Sequence, residues 1–364
     1  SGGMDSRIVA GILKQIQNER NGFDVTAFCW GIRPSRDPVY AEKIALMYKW
    51  QYEHFAITPT TLKRNIELAA DMGCFFAPQH LHAMPDIAKR AVTLGIDCIL
   101  AGSYGDSIGR GEYSGNKVMQ LKPVKSCLGD PFGLINKSLY KECKIQTLKE
   151  IDRYHQLYET KNKWAINEID YQIHYMRNQL NTCMSVISWY IPLYQCFTST
   201  EVVKYMWSYH PDYRTDEVYL HLVKSIDRKL YEIPWARTGK RYLSTNDTPD
   251  NLGKAYHKYG EWVRKELSGY IESLIFNGEI EATNIYNMKQ LKYMYKVNKA
   301  NMAMMSKKLD EIVLWLATLA IYLKKNKVTV DKNISSSNIR SLRGTVYLLI
   351  YSAWQKLKLS KKKT

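Results

Sequence analysis

An α/β fold on a parallel sheet, giving way to a mainly helical C-terminal part, is what this chain of 364 residues predicts. Strand-like and helix-like segments alternate between Ser1 and Gly111. Two glycine-rich loops, each carrying an Asp, bracket that stretch. Beyond about residue 140 the apolar pattern becomes helical, with few strand signals.

Taken in order, residues 7–20 read as an amphipathic helix ending near Asn21-Gly22. Asp24 to Gly31 is apolar and β-branched and reads as a strand. Tyr40 to Tyr48 is helical, with Pro38 near its first turn, and Tyr52 to Ile57 is a second strand. Leu62 to Met72 is a helix; Pro85 to Leu94 is another, with Gly95 as its C-cap. Ile96 to Ala101 is a buried strand, and Gly102 to Gly111 a glycine-rich loop. Such alternation means a parallel sheet with helices on both faces. Sites in such sheets lie at the carboxyl ends of the strands. The loops Ser1–Ser6, Gly31–Arg36 and Gly102–Gly111 are therefore expected at one edge, within reach of one ligand. Helices follow over 144–162, 164–183, 199–209, 215–230, 255–275 and 303–324. A break at Pro234–Asn251 is rich in Arg, Lys, Gly, Thr and Asn. The expected organisation is an α/β core over 1–135, a mainly helical part over 136–327 and a basic tail over 328–364.

An apolar share of 45% supports a real core. The seven Cys are scattered, with no C-x-x-C pair, which argues against a zinc site or a disulfide framework. A reducing cytoplasm is the expected location. The net charge is +17, and much of the excess lies late. From Lys324 onward there are eleven Lys and Arg residues against Asp331 alone. A solvated tail explains this as well as a binding surface does. The segment Ile339 to Lys363 is expected to form a basic helix with an apolar face of Leu342, Val346, Leu349, Ile350 and Ala353. That face either packs on the protein or makes weak contact with an anionic membrane surface. His80 and His82 form an H-x-H pair in a loop with no matching Cys or acidic partner, read as structure or substrate contact and not as a metal site.

The strongest local signal is Ser1-Gly2-Gly3-Met4-Asp5-Ser6 running straight into a helix. Gly2 and Gly3 let the backbone approach a pyrophosphate. Ser1 and Ser6 add hydroxyl donors, and the helix N-terminus adds free N–H groups. Asp5 would repel phosphate directly, so its expected role is to hold Mg²⁺. A turn capped by Ser and Asp is the plain alternative. The motif resembles the PP-loop of ATP pyrophosphatases; it lacks the Gly-Lys-Ser/Thr of a Walker loop. A loop of this kind hangs between a strand and a helix, so a strand is expected upstream of Ser1.

The second signal is Ile99-Leu100-Ala101-Gly102-Ser103-Tyr104-Gly105-Asp106-Ser107. It is expected to bring Asp106 beside Asp5, two carboxylates for one metal. Together the two loops resemble the synthetase domain of the asparagine synthetase family, over roughly residues 1–245, with an echo at Leu309 to Leu323. The family's second loop typically reads S-G-E-G-x-D-E-x-F-G-G-Y. Here Gly102 and Asp106 match, Ser103 replaces the Glu, and the end becomes Ile108-Gly109-Arg110-Gly111. Pro192 matches a later motif in which Ser188 replaces a Glu, and Thr215-Asp216-Glu217 stands where a Gly-Lys is usual.

The resemblance implies an adenine nucleotide α-hydrolase-like fold using ATP and Mg²⁺. It implies activation of a small carboxylate as an acyl-adenylate, release of pyrophosphate, and transfer of ammonia that an upstream or separate glutaminase domain draws from glutamine. By the same resemblance Ser1, Gly2, Gly3 and Ser6 hold pyrophosphate, and Asp5 and Asp106 hold the metal. Trp30 and Gly102 wrap the nucleoside, Arg237 and Lys240 neutralise the leaving group, and Arg177 belongs to the catalytic set. No Cys is assigned to catalysis. Two rivals remain at this point: a PP-loop enzyme that modifies tRNA, and a non-catalytic nucleotide-binding relative. The first lacks C-x-x-C and keeps its charge in a tail, so no nucleic-acid partner is expected.

Overall fold

The computed structural model describes residues 1–20, 22–113, 115–300, 307–328 and 341–360. The chain forms two compact units. One comprises Ser1–Thr58, His82–Leu121 and Met184–His257; the other comprises Pro59–Leu81, Lys122–Cys183 and Lys258–Thr364. The units interleave along the chain, where the sequence reading has consecutive blocks.

In the first unit, β1 (Thr26–Gly31) and β2 (Gln51–Ala56) pair in parallel, Thr26 opposite Gln51 through Gly31 opposite Ala56. The helix Arg36–Met47 connects them and buries Pro38, Tyr40, Ala41, Ile44 and Ala45, the spacing of one helical face. β3 (Ile99–Ala101) is shorter than expected. The helix before it, Met84–Thr93, ends in a Schellman cap: Gly95 has φ +66, its N–H bonds to Val92 O, and Ile96 N–H bonds to Ala91 O, each at 3.0 Å. A short hairpin, β4 (Glu112–Tyr113) and β5 (Asn116–Lys117), follows. β3 is not paired with β1 or β2. Its parallel partner is β6 (Leu193–Gln195), which falls between the expected helices 164–183 and 199–209 where no element is expected, and Ile99 N–H extends the ladder to Pro192 O at 2.9 Å. The described residues thus hold small parallel pairs within an α/β unit.

The helix Met4–Glu19 buries Met4, Arg7, Ile8 and Gly11. Its neighbour is Asp216–Ile226. A Cβ on Gly11 would stand 2.4 Å from Ile226 Cγ2, so glycine is what allows these helices to approach so closely.

The second unit is helical. Its longest helix, Lys307–Asn326, buries Leu309, Val313, Leu314, Leu316, Ala317 and Ala320. It packs on Pro59–Asp71 and Ser268–Ile275. Trp315 donates its indole N–H to Cys74 O at 2.7 Å. A buried pair, Arg264 with Asp310, ties Tyr259–Arg264 to the same helix. The single helix expected over 164–183 is three segments: Lys163–Asp170, a wider-wound stretch Tyr171–Asn181, and Thr182–Ser188, which ends in the first unit. The tail helix is Leu342–Ser360; the rest of the expected span, 339–340 and 361–363, lies outside the described residues.

Candidate active site

The first loop is organised by its backbone. Gly3 occupies the N-cap of helix Met4–Glu19 in an extended conformation, with no side chain capping the helix. The N–H groups of the first turn therefore have no intrahelical acceptor, which is the condition for binding an anion. Ser1 Oγ and Ser6 Oγ lie 3.0 Å apart, and Gly3 N–H reaches Ser1 Oγ at 3.3 Å. Gly2 N–H donates to Asp37 Oδ1 at 3.0 Å.

Arg7 holds this loop in place, and sequence reading missed it. The side chain is fully buried and donates to the carbonyls of Gly2, Leu230, Ile233 and Pro234. Burial pulls its guanidinium down to about 10, which leaves it charged at neutral pH. A lone Arg on the apolar face of a helix was the available signal.

The second loop fits against the first with no room to spare. A Cβ on Gly102 would lie 2.7 Å from Asp5 C and Ser6 N, and one on Gly105 would lie 2.6 Å from Asp5 Oδ1. Both glycines are therefore dictated by close approach. The turn Gly105–Gly109 is entered through Tyr104 in the left-handed region, φ 68. Asp106 follows Gly105 directly and accepts its neighbour Ser107's N–H at 2.9 Å. Asp5 Oδ1 is buried and has no hydrogen-bond partner. Burial pushes the Asp5 carboxyl up to about 7; nearby Arg110 opposes that rise and Asp106 adds to it. Burial likewise raises Asp106, again against Arg110.

Arg110 is the centre of this electrostatic set. Its Nε lies 3.7 Å from Asp5 Oδ1, its Nη1 lies 3.0 Å from Asp216 Oδ1 and 3.7 Å from Glu112 Oε2, and its guanidinium sits 5.3 Å above the Tyr219 ring. Desolvation disfavours its charge, but Asp5 and Asp216 outweigh that and raise it. Tyr219 donates to Gly105 O at 2.6 Å and closes the floor against Gly109. Arg110 and Asp216 are both departures from the family pattern, and here they pair with each other. Their separation of 106 residues kept that pairing out of the sequence reading.

Trp30, the last residue but one of β1, stacks on His82, centroids 5.5 Å apart and planes at 21°, beside Tyr256 and His257. Arg237 bonds to Glu112 Oε1 at 3.1 Å and lies over Trp235. The loop 234–251 is anchored by Asp250, which accepts from Arg36 and Tyr40, and by Arg241 on Asp247. Lys240 makes no ion pair among the described residues and lines an open depression of about 580 Å³ with Arg241, Asp247 and Asp250. Ser188 is exposed. Arg177 belongs to the second unit, where it is exposed. No group of three or more His, Cys, Asp or Glu among the described residues is placed to hold a metal.

An uncapped helix N-terminus, serine hydroxyls beside it and a second acidic glycine loop pressed against it come together in one α/β unit. The chain belongs to the asparagine synthase family: the family model for asparagine synthase matches residues 1–184. That family uses ATP, and the match supports an ATP-dependent synthetase. The matched span includes both loops and ends before Ser188, Pro192, Arg237 and Lys240. No curated protein matches the chain.

Proposed function

We propose that the first unit activates a carboxylate with ATP, forming an acyl-adenylate and releasing pyrophosphate, and that a nitrogen nucleophile then displaces AMP. The observation that carries this reading is the contact of Gly102 and Gly105 with Asp5 and Ser6, which sets the second acidic loop directly on the anion cradle. In this reading the first-turn N–H groups, with Ser1 and Ser6, bind the pyrophosphate portion of ATP, and Gly2 and Gly3 allow the close approach. Trp30 and Gly102 flank the nucleoside.

Asp5 and Asp106 fit Mg²⁺: Asp5 Oδ1 is a buried carboxylate oxygen without a hydrogen bond, and Mg²⁺ takes one or two carboxylates plus phosphate oxygens. Bound there, it would spread the negative charge of the leaving pyrophosphate. Arg110 offers a fixed cation to the same charge from beside Asp5, and Lys240 and Arg237 offer two more from the loop after Pro234. Arg177, a catalytic candidate by family resemblance alone, lies in the second unit and is given no step in this reading. Ammonia drawn from glutamine, by a glutaminase domain upstream or separate, is the nitrogen source in this proposal, and the cytoplasm the compartment.

ATP–pyrophosphate exchange measured against a panel of carboxylic acids, aspartate included, tests the reading. Exchange that depends on one acid is the expected result. ATP binding without exchange for any acid points to a non-catalytic relative and rejects the proposal. Exchange that requires tRNA rejects it in favour of a nucleic-acid substrate.

A further inference from the structure

The tail helix Leu342–Ser360 has two apolar faces. One is packed: Leu348 and Thr345 are buried, Thr345 Oγ1 bonds to Gln290 Oε1 at 3.3 Å, and a Cβ on Gly344 would strike Phe132 O at 2.1 Å. Phe132 also meets the rings of Tyr347 and Tyr351 edge-on at 5.5 and 5.9 Å. This docking turns the other stripe outward. Leu342, Val346, Leu349, Ile350 and Trp354 are between 46% (Val346) and 79% (Leu342) exposed, and Ala353 is exposed among them. These positions follow one helical face. It is the face that sequence periodicity marks as the apolar one, and the helix docks through a different one.

A helix that is apolar on both sides needs something on both sides. The charge says what. From Lys332 to Thr364 the chain carries Lys332, Arg340, Arg343, Lys356, Lys358 and Lys361–Lys363, with no Asp or Glu. A second copy would bring the same basic segment and the same +17 net charge against it, which opposes self-association. Apolar aliphatic residues with an exposed Trp, and basic residues with no acid among them, are the composition of a helix lying in the plane of an anionic lipid surface. No helix among the described residues is long and apolar enough to cross a membrane. We propose that the Leu342–Ser360 helix is a peripheral membrane anchor, with Leu342, Val346, Leu349, Ile350 and Trp354 entering the headgroup region of an anionic bilayer.

Co-sedimentation of the full chain with vesicles tests this independently of any enzymatic activity. Vesicles of phosphatidylcholine mixed with phosphatidylserine should pellet the protein, phosphatidylcholine alone should not, and added salt should weaken binding. Val346→Asp with Ile350→Asp should abolish binding while leaving the thermal melt unchanged, because both side chains are exposed. Lys356→Gln with Lys358→Gln should lower the partition coefficient roughly 30-fold. Equal pelleting with both vesicle types overturns the proposal, as does full binding by the double Asp variant. A protein that is dimeric in solution and becomes monomeric in that variant also overturns it, since a second copy would then be what covers the face.

Discussion

Gly102→Ala isolates the close approach of the two loops from every other property of the site. Gly102 needs no left-handed conformation, so the added methyl brings no backbone penalty of its own. It would stand 2.7 Å from Asp5 C and Ser6 N, and those atoms are backbone, so no rotamer change relieves the clash. Reaching an ordinary contact near 3.4 Å demands a displacement of about 0.7 Å between the loops. Overpacking of this kind costs about 1–3 kcal/mol. A shift approaching 1 Å in a positioned catalytic group costs on the order of 100-fold in rate. The expected variant is therefore folded, destabilised by about 1–3 kcal/mol in chemical denaturation, and slower by about two orders of magnitude in ATP–pyrophosphate exchange. Gly269→Ala is the control: nothing lies within 4 Å of its Cβ position at the start of helix Ser268–Ile275, so Ala there should stabilise by about 0.4–1 kcal/mol. If Gly102→Ala retains both stability and exchange rate, the loops are not the rigid joint described here.

Asp5→Asn and Asp106→Asn should each abolish exchange and leave the circular dichroism spectrum intact; full activity in either variant removes that carboxylate from the metal assignment. Arg264→Met should cost about 3–5 kcal/mol in chemical denaturation by leaving Asp310 buried without its partner. Adding Asp310→Leu should recover most of the loss, and failure to recover would show that the pair is not the source. Cys74 should resist a thiol reagent at pH 8: burial pushes its thiol up to about 12, so only about one molecule in 10⁴ carries the thiolate. Exposed Cys127 and Cys143 should react first, which peptide mapping of the labelled protein would show.

Where structure depends on neighbours a few residues apart, the sequence was readable. Glycines followed at once by an amphipathic pattern marked the Ser1–Ser6 turn and the helix after it. Gly95 after an apolar-periodic stretch marked a helix end, and the Schellman cap is there because only a residue tolerant of positive φ closes it cheaply. β1 and β2 fall within a few residues of their expected bounds because each is a short β-rich run between turn residues. The two acidic loops stood out for the same reason: glycine spacing is a local constraint.

Tertiary structure decided what lies across long separations. Arg110 meets Asp216, and Arg7 collects carbonyls from Leu230 to Pro234; neither set of partners is visible from spacing, because a local pattern can mark an Arg as buried but cannot name a distant acceptor. β3 pairs with β6 from a stretch without an expected element between two expected helices, since a three-residue strand carries too little periodicity to be recognised. The tail helix shows the division most plainly. Its sequence alone set the helix and its apolar residues, because periodicity is a property of one segment. Which of its faces is buried was settled by Phe132 and Gln290, about 200 and 50 residues away, because burial is a property of the segment and the surface it meets.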